Sequence, residues 1–139
     1  MSIEFDGLDD VLKSLSEPIS QERLEKTLMK ACLLVETAAK EKAQSFADTG
    51  NLARSITSRV EEDKGIVYTP LEYAPYVEYG TGLFAEEGNG RKDVPWHYQD
   101  DKGEWHTTSG QHPQPYMRPA LDENREEVKR ILREGLLND

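Results

Sequence analysis

The stretch Ser55-Ile56-Thr57-Ser58-Arg59-Val60, then Glu61-Glu62-Asp63-Lys64, then Gly65-Ile66-Val67-Tyr68-Thr69, decides the fold class. Its two outer runs are short and rich in β-branched residues, which pack well on a pleated surface. Glu62-Asp63-Lys64-Gly65 between them reads as a type I turn closed by a glycine bulge, so the runs form an antiparallel hairpin. Upstream, Leu24, Leu28, Ala31, Val35, Ala38 or Ala39, Ala43 and Phe46 recur at helical spacing and predict one long helix over 19–47. Ser20 is suited to cap it, with Ile19 and Leu24 spaced as a hydrophobic staple. Asp48-Thr49-Gly50-Asn51 stops it. Further upstream, Phe5, Leu8, Val11, Leu12 and Leu15 predict a short amphipathic helix, broken at Ser16-Glu17-Pro18.

Downstream of the hairpin lies Tyr73-Ala74-Pro75-Tyr76-Val77-Glu78-Tyr79-Gly80-Thr81. Pro75 suits the first position of a short helix with Ala74 as cap, and Gly80 ends it in the left-handed conformation. Tyr73, Tyr76, Val77 and Gly80 share one face, which reads locally as an aromatic plug for a small core. The glycine-rich, charged run from Gly80 to Pro95 reads as a mobile loop. Asp100-Asp101-Lys102-Gly103 repeats the turn chemistry and joins Trp96–Gln99 to Glu104–Thr107 as a second hairpin. Paired that way, Trp96, Tyr98 and Trp105 form an aromatic partner-contact surface, with His97 and His106 together on the opposite face. Pro113 and Pro115 keep the approach to the last helix extended, and Met117, Leu121, Val128, Ile131, Leu132 and Gly135 mark its inward stripe over 117–136. The order predicts an α+β fold, an antiparallel β-sheet built from hairpins and packed against the long N-terminal helix and the C-terminal helix. At 139 residues the chain is expected to be a single domain.

Hydrophobic residues make up 36% and the mean hydropathy is −0.76, so the core is small or is completed by partner subunits. Acidic residues number 27 against 17 basic, for a net charge of −10. Residues 61–104 hold 11 of the acids and 4 of the bases, which concentrates the deficit in mid-chain. An acidic surface repels phosphate backbones, so sequence-specific nucleic-acid binding is disfavoured. Cys32 is the one cysteine, set inside a helical pattern, and reads as a small buried apolar residue rather than a nucleophile. No signal-type segment and no membrane-length apolar run appears, which points to a protein made in a reducing cytoplasm without a membrane partner.

Catalytic chemistry finds little support. His97, His106 and His112 lie near Asp100 and Asp101, yet none of the spacings matches a zinc site. The acids fall in turns and on wet faces, where solvated charge explains them, and no phosphate loop or nucleophile triad stands out. No catalytic residue, cofactor or metal is expected.

Three segments carry a resemblance. Thr49-Gly50-Asn51-Leu52-Ala53-Arg54-Ser55-Ile56, the Tyr73–Thr81 motif and Gln114-Pro115-Tyr116-Met117-Arg118-Pro119-Ala120-Leu121 occur in this order between a long helix and a terminal one. The ordered triple resembles the neck or tail-component proteins of long-tailed bacteriophages and prophages, also called head–tail joining or tail-completion proteins. It spans residues 20–136. The resemblance implies a structural virion protein without catalysis, assembling as a homo-oligomeric ring beside connector and tail proteins. It implies a place in the virion neck or tail, reached from the host bacterial cytoplasm. Shorter members lack an insertion at 82–112, the segment with the tryptophan-bearing hairpin.

On that basis Tyr73, Tyr76, Val77, Glu78, Gly80 and Thr81 are expected at the core or at a subunit boundary. Glu78 is expected to accept hydrogen bonds from N–H groups near Gly80-Thr81. The acidic 61–104 segment is a candidate for passive lining of a DNA channel, where like charge keeps the duplex from sticking. A second reading is a small prophage-encoded protein-binding or regulatory module, monomeric or dimeric, with an exposed aromatic patch at Trp96 and Trp105.

Overall fold

A three-stranded antiparallel sheet and the long helix laid across it hold the core. The computed structural model describes residues 1–5, 18–44, 50–86, 88, 90–99 and 102–137. The elements in chain order are β1 (Ser2–Phe5), α1 (Gln21–Gln44), α2 (Asn51–Ser55), β2 (Thr57–Glu61), β3 (Lys64–Tyr68), α3 (Ala74–Tyr79), a 3-10 turn (Gly82–Phe84), β4 (Trp96–Gln99), β5 (Trp105–Thr108), α4 (Met117–Asp122) and α5 (Arg125–Leu137). The fold is α+β, as the patterning predicts. The chain forms two compact units, residues 1–71 with 116–139, and residues 72–115.

In the first unit β3 lies at the centre, with β1 and β2 as the edges. Phe5 and Val60 flank Gly65 in register. Strand β1 is absent from the sequence reading, because Phe5 falls at helical spacing with Leu8. Phe5 in fact ends a strand, and the rest of the expected opening helix lies outside the described residues. The first hairpin also turns differently. Glu61 pairs with Lys64, leaving a two-residue loop whose first member, Glu62, has φ of 54°. Gly65 is therefore a paired strand residue and not a bulge.

Space explains the glycine better than conformation does. A Cβ at Gly65 would lie 2.7 Å from Cys32 Sγ and 2.7 Å from Phe5 Cζ, so a bare backbone lets the central strand approach α1. Helix α1 buries Leu28, Ala31, Cys32, Val35, Ala39 and Ala43, which settles Ala39 over Ala38 as the inward residue. At its start the Arg23 N–H donates to Ser20 Oγ at 3.2 Å, the expected cap. The strand expected from Ser55 begins only at Thr57. The residues before it form α2, entered through Gly50 at φ 88°.

The expected single C-terminal helix is two. Helix α4 ends at Asp122, and the Asn124 carbonyl receives the Val128 N–H at 2.9 Å to start α5. Pro119 falls in the first turn of α4, where a missing N–H leaves no intrahelical bond unmade. Helices α1 and α5 meet closely at Gly135. Arg23 Nε donates to the Gly135 carbonyl at 2.7 Å, and a Cβ there would lie 2.5 Å from Thr27 Cγ2. Gly135→Ala is thus expected to lose about 1–2 kcal/mol of stability, although alanine is intrinsically the better helix former. Urea unfolding of the single variant and of Gly135→Ala with Thr27→Ala checks this, because the pair is expected to recover most of the loss.

Cys32 is fully buried, and burial pushes its thiol up from 9.0 to about 11. A hydrogen bond with the Ile66 backbone opposes the rise, and Glu36 adds to it. The native state then keeps a proton that the unfolded chain releases, so stability present below pH 9 is lost as pH climbs toward about 11. Unfolding at about pH 7 and about pH 10.5 is expected to show an alkaline loss of about 2 kcal/mol that Cys32→Ala abolishes.

Candidate functional site

The second unit is built around α3 and its exit. Tyr73 is the cap, not Ala74, and Pro75 sits within the first turn. The Tyr76 N–H donates to the Tyr73 carbonyl at 3.0 Å, and the Gly80 N–H to the Tyr76 carbonyl at 2.9 Å. Gly80 has φ 83° and ψ 172°, a region open essentially to glycine alone, so the helix ends by extending rather than in a left-handed turn.

Burial on α3 reverses the expected polarity. Ala74 and Glu78, one turn apart, are fully buried, while Tyr73 is 39% and Tyr76 59% exposed. Val77 and Tyr79 are half-buried. The aromatic face is no plug: it points to solvent, and the carboxylate points in. Every buried side-chain oxygen and nitrogen among the described residues has a hydrogen-bond partner, Glu78 included. The Gly80 and Thr81 N–H groups donate to the Tyr76 and Gln111 carbonyls.

Within the run expected as a mobile loop, residues 81–86 carry the 3-10 turn and make backbone hydrogen bonds. Thr81 N–H donates to the Gln111 carbonyl at 2.9 Å, Leu83 N–H to Ser109 at 3.0 Å, and Glu86 N–H to Tyr79 at 2.8 Å. Gly110 lies so near the Thr81 carbonyl that any side chain there would collide with it. These bonds set the floor of a groove of about 650 Å³ lined by Pro75, Tyr76, Tyr79, the Gly80–Gly82 backbone, Ala85, Gly90, Arg91 and Trp96. Arg91 stacks over the Trp96 ring at 5.0 Å from its centroid. The central motif and the first strand of the second hairpin thus meet at one site.

That hairpin has a register the turn chemistry did not reveal. Gln99 pairs with Trp105, not with Glu104, so Tyr98 faces His106 and Trp96 faces Thr108. One residue of slip moves a whole strand's side chains to the other face. Trp96, Tyr98, His106 and Thr108 share one face; His97, Gln99, Trp105 and Thr107 share the other. The three aromatics expected as one contact surface are therefore split, and so are the two histidines. His97 Nδ1 lies 2.8 Å from Thr107 Oγ1, His106 stacks on Tyr98 at 5.2 Å, and His112 rests on Phe84 at 3.9 Å. Among the described residues, no group of three or more His, Cys, Asp or Glu is arranged to hold a metal. Nor is any helix there long and apolar enough to cross a membrane. The turn's Asp100 and Asp101 lie outside the described residues.

Chemically the site offers aromatic walls, a glycine floor and one stacked guanidinium, a combination that grips a protein side chain or segment. The groove itself was not foreseen. Its signal was present in the clustering of Gly80, Gly82 and Gly90 between the tyrosines and Trp96. No curated protein and no solved structure matches the chain. A family profile does, described as "Bacteriophage HK97-gp10, putative tail-component", over residues 6–80. The match takes in more than half of the sequence, including the long helix, the first hairpin and α3. With the fold and the motif both in place, the chain belongs to the HK97-gp10-like family of bacteriophage tail components.

Proposed function

We propose that this tail component is a structural neck protein, acting in head–tail joining or tail completion as a homo-oligomer, with a ring as its assembled form. The observation that carries the reading is the outward aromatic face of α3, which a self-sufficient monomer has no reason to expose. Tyr73, Tyr76, Val77, Glu78, Gly80 and Thr81 then divide their work. Gly80 and Thr81 line the groove, Glu78 anchors α3 from within, and the tyrosines with Val77 meet a neighbour. Connector and tail proteins are the remaining partners, and the acidic mid-chain surface tolerates DNA passing without holding it. Both compact units serve in the one subunit, which needs no cofactor and performs no catalysis.

Deleting the gene from a phage or prophage that carries it is expected to give separate heads and tails in electron micrographs, with joined particles restored by complementation. Joined, infectious particles without the protein would overturn the assignment. The protein-binding module reading would then gain, with a strict monomer absent from particles as its sign.

A further inference from the structure

We propose that copies of this chain associate head to tail, with Trp105 of one copy seated in the groove formed by Tyr76, Tyr79 and Trp96 of the next. The inference deepens the oligomeric reading above and rests on it. Its first ground is the register of the second hairpin. Trp96 lines the groove, and Trp105, 70% exposed, stands on the other face of the same two strands. Trp105 is thereby turned away from its own groove, and one subunit presents a socket on one side and a large apolar knob on the other. Such a pair is complementary between successive copies rather than self-complementary, which is the geometry of rings and filaments and not of a two-fold dimer.

A second ground is the hairpin's nakedness. Every strand residue of it except Trp96 and Thr108 is exposed, and an isolated two-stranded hairpin is marginal in water without something packed on it. Charge supplies the third. A chain of net charge −10 resists self-association unless the contact is apolar or locally opposite in sign. Here Arg91 lines the groove, while Glu104 directly precedes Trp105, and both are exposed. A tryptophan in an aromatic pocket with an arginine on its wall is also the composition that dominates interface energetics.

The test places thiols beside the contact and leaves its anchors intact. Thr107→Cys sits on the Trp105 face and Ala85→Cys on the groove wall, and buried Cys32 leaves these as the reactive thiols. A flexible bis-maleimide is applied to the purified double variant and to particles complemented with it. The expected result is a ladder of cross-linked species beyond the dimer. Mixing the two single variants is expected to stop at dimers, and each single variant alone at monomers. Adding Trp105→Ala is expected to remove the ladder while circular dichroism and melting stay unchanged. Dimers from a single variant, no ladder in either sample, or a ladder indifferent to Trp105→Ala would each overturn the proposal. If the protein is present in joined particles yet yields no ladder, the contact is wrong and the neck role stands. If it is missing from particles, the neck role itself fails.

Discussion

Gly65→Val is expected to lower the stability of the fold by about 3 kcal/mol, enough to unfold much of the protein in mild urea. The residue is the second of the central strand, paired to Phe5 on one side and Val60 on the other. Above it lie the Cys32 thiol and the Phe5 ring, both at 2.7 Å from where a Cβ would stand. Neither neighbour has room to yield, since Cys32 is fully buried on α1 and Phe5 is held in the β1 ladder. Relief therefore requires lifting the sheet from the helix, and that opens the core around Leu28, Val35 and Ile66. Gly65→Ala is expected to cost less, about 1–2 kcal/mol, and to be partly rescued by Cys32→Ala. Equilibrium unfolding of the four variants gives the coupling directly. Strict additivity would show that the contact with Cys32 is not what demands a glycine.

Glu78→Ala is expected to cost about 3 kcal/mol as well, by a different route. Its carboxylate is fully buried with its hydrogen bonds made, so truncation strands the donors that it satisfied. A buried donor left without a partner costs more than the bond was worth on balance. Glu78→Gln keeps one acceptor oxygen and the shape, and is expected to lose about half as much. The damage should be local. Amide exchange is expected to accelerate across residues 72–115, where α3 and the groove floor lie, and to stay slow in α1. Unchanged exchange in Tyr76–Thr81 would show that the carboxylate does not hold this helix in place.

Much of the architecture was legible in the sequence because it follows from periodicity and caps. The apolar stripe of α1, the Ser20 cap and the two hairpins are local consequences of residue type and spacing. Three features were not, each for a physical reason. Strand β1 is four residues long, and Phe5 fits a helical spacing as well as an alternating one. The polarity of α3 is decided by what surrounds it: local pattern favours burying tyrosines, whereas the fold buries Ala74 and Glu78. The register of the second hairpin turns on one residue in its loop, and that residue determines whether Trp96 and Trp105 stand together or apart. The candidate site depends on two of these three, so Tyr76, Gly80, Thr81 and Trp96 could be named in advance, while Ala85, Gly90, Arg91 and the groove's shape could not.

The sheet's edges bear on how the chain avoids uncontrolled association. Unpaired strand edges invite further strands, from a second copy of the chain above all. Here the outer strands carry charge: Glu4 on β1, and Arg59 and Glu61, ion-paired at 2.9 Å, on β2. A second chain laid along either edge would have to strip water from those groups. Sheet extension, the uncontrolled route to polymer, is thereby discouraged.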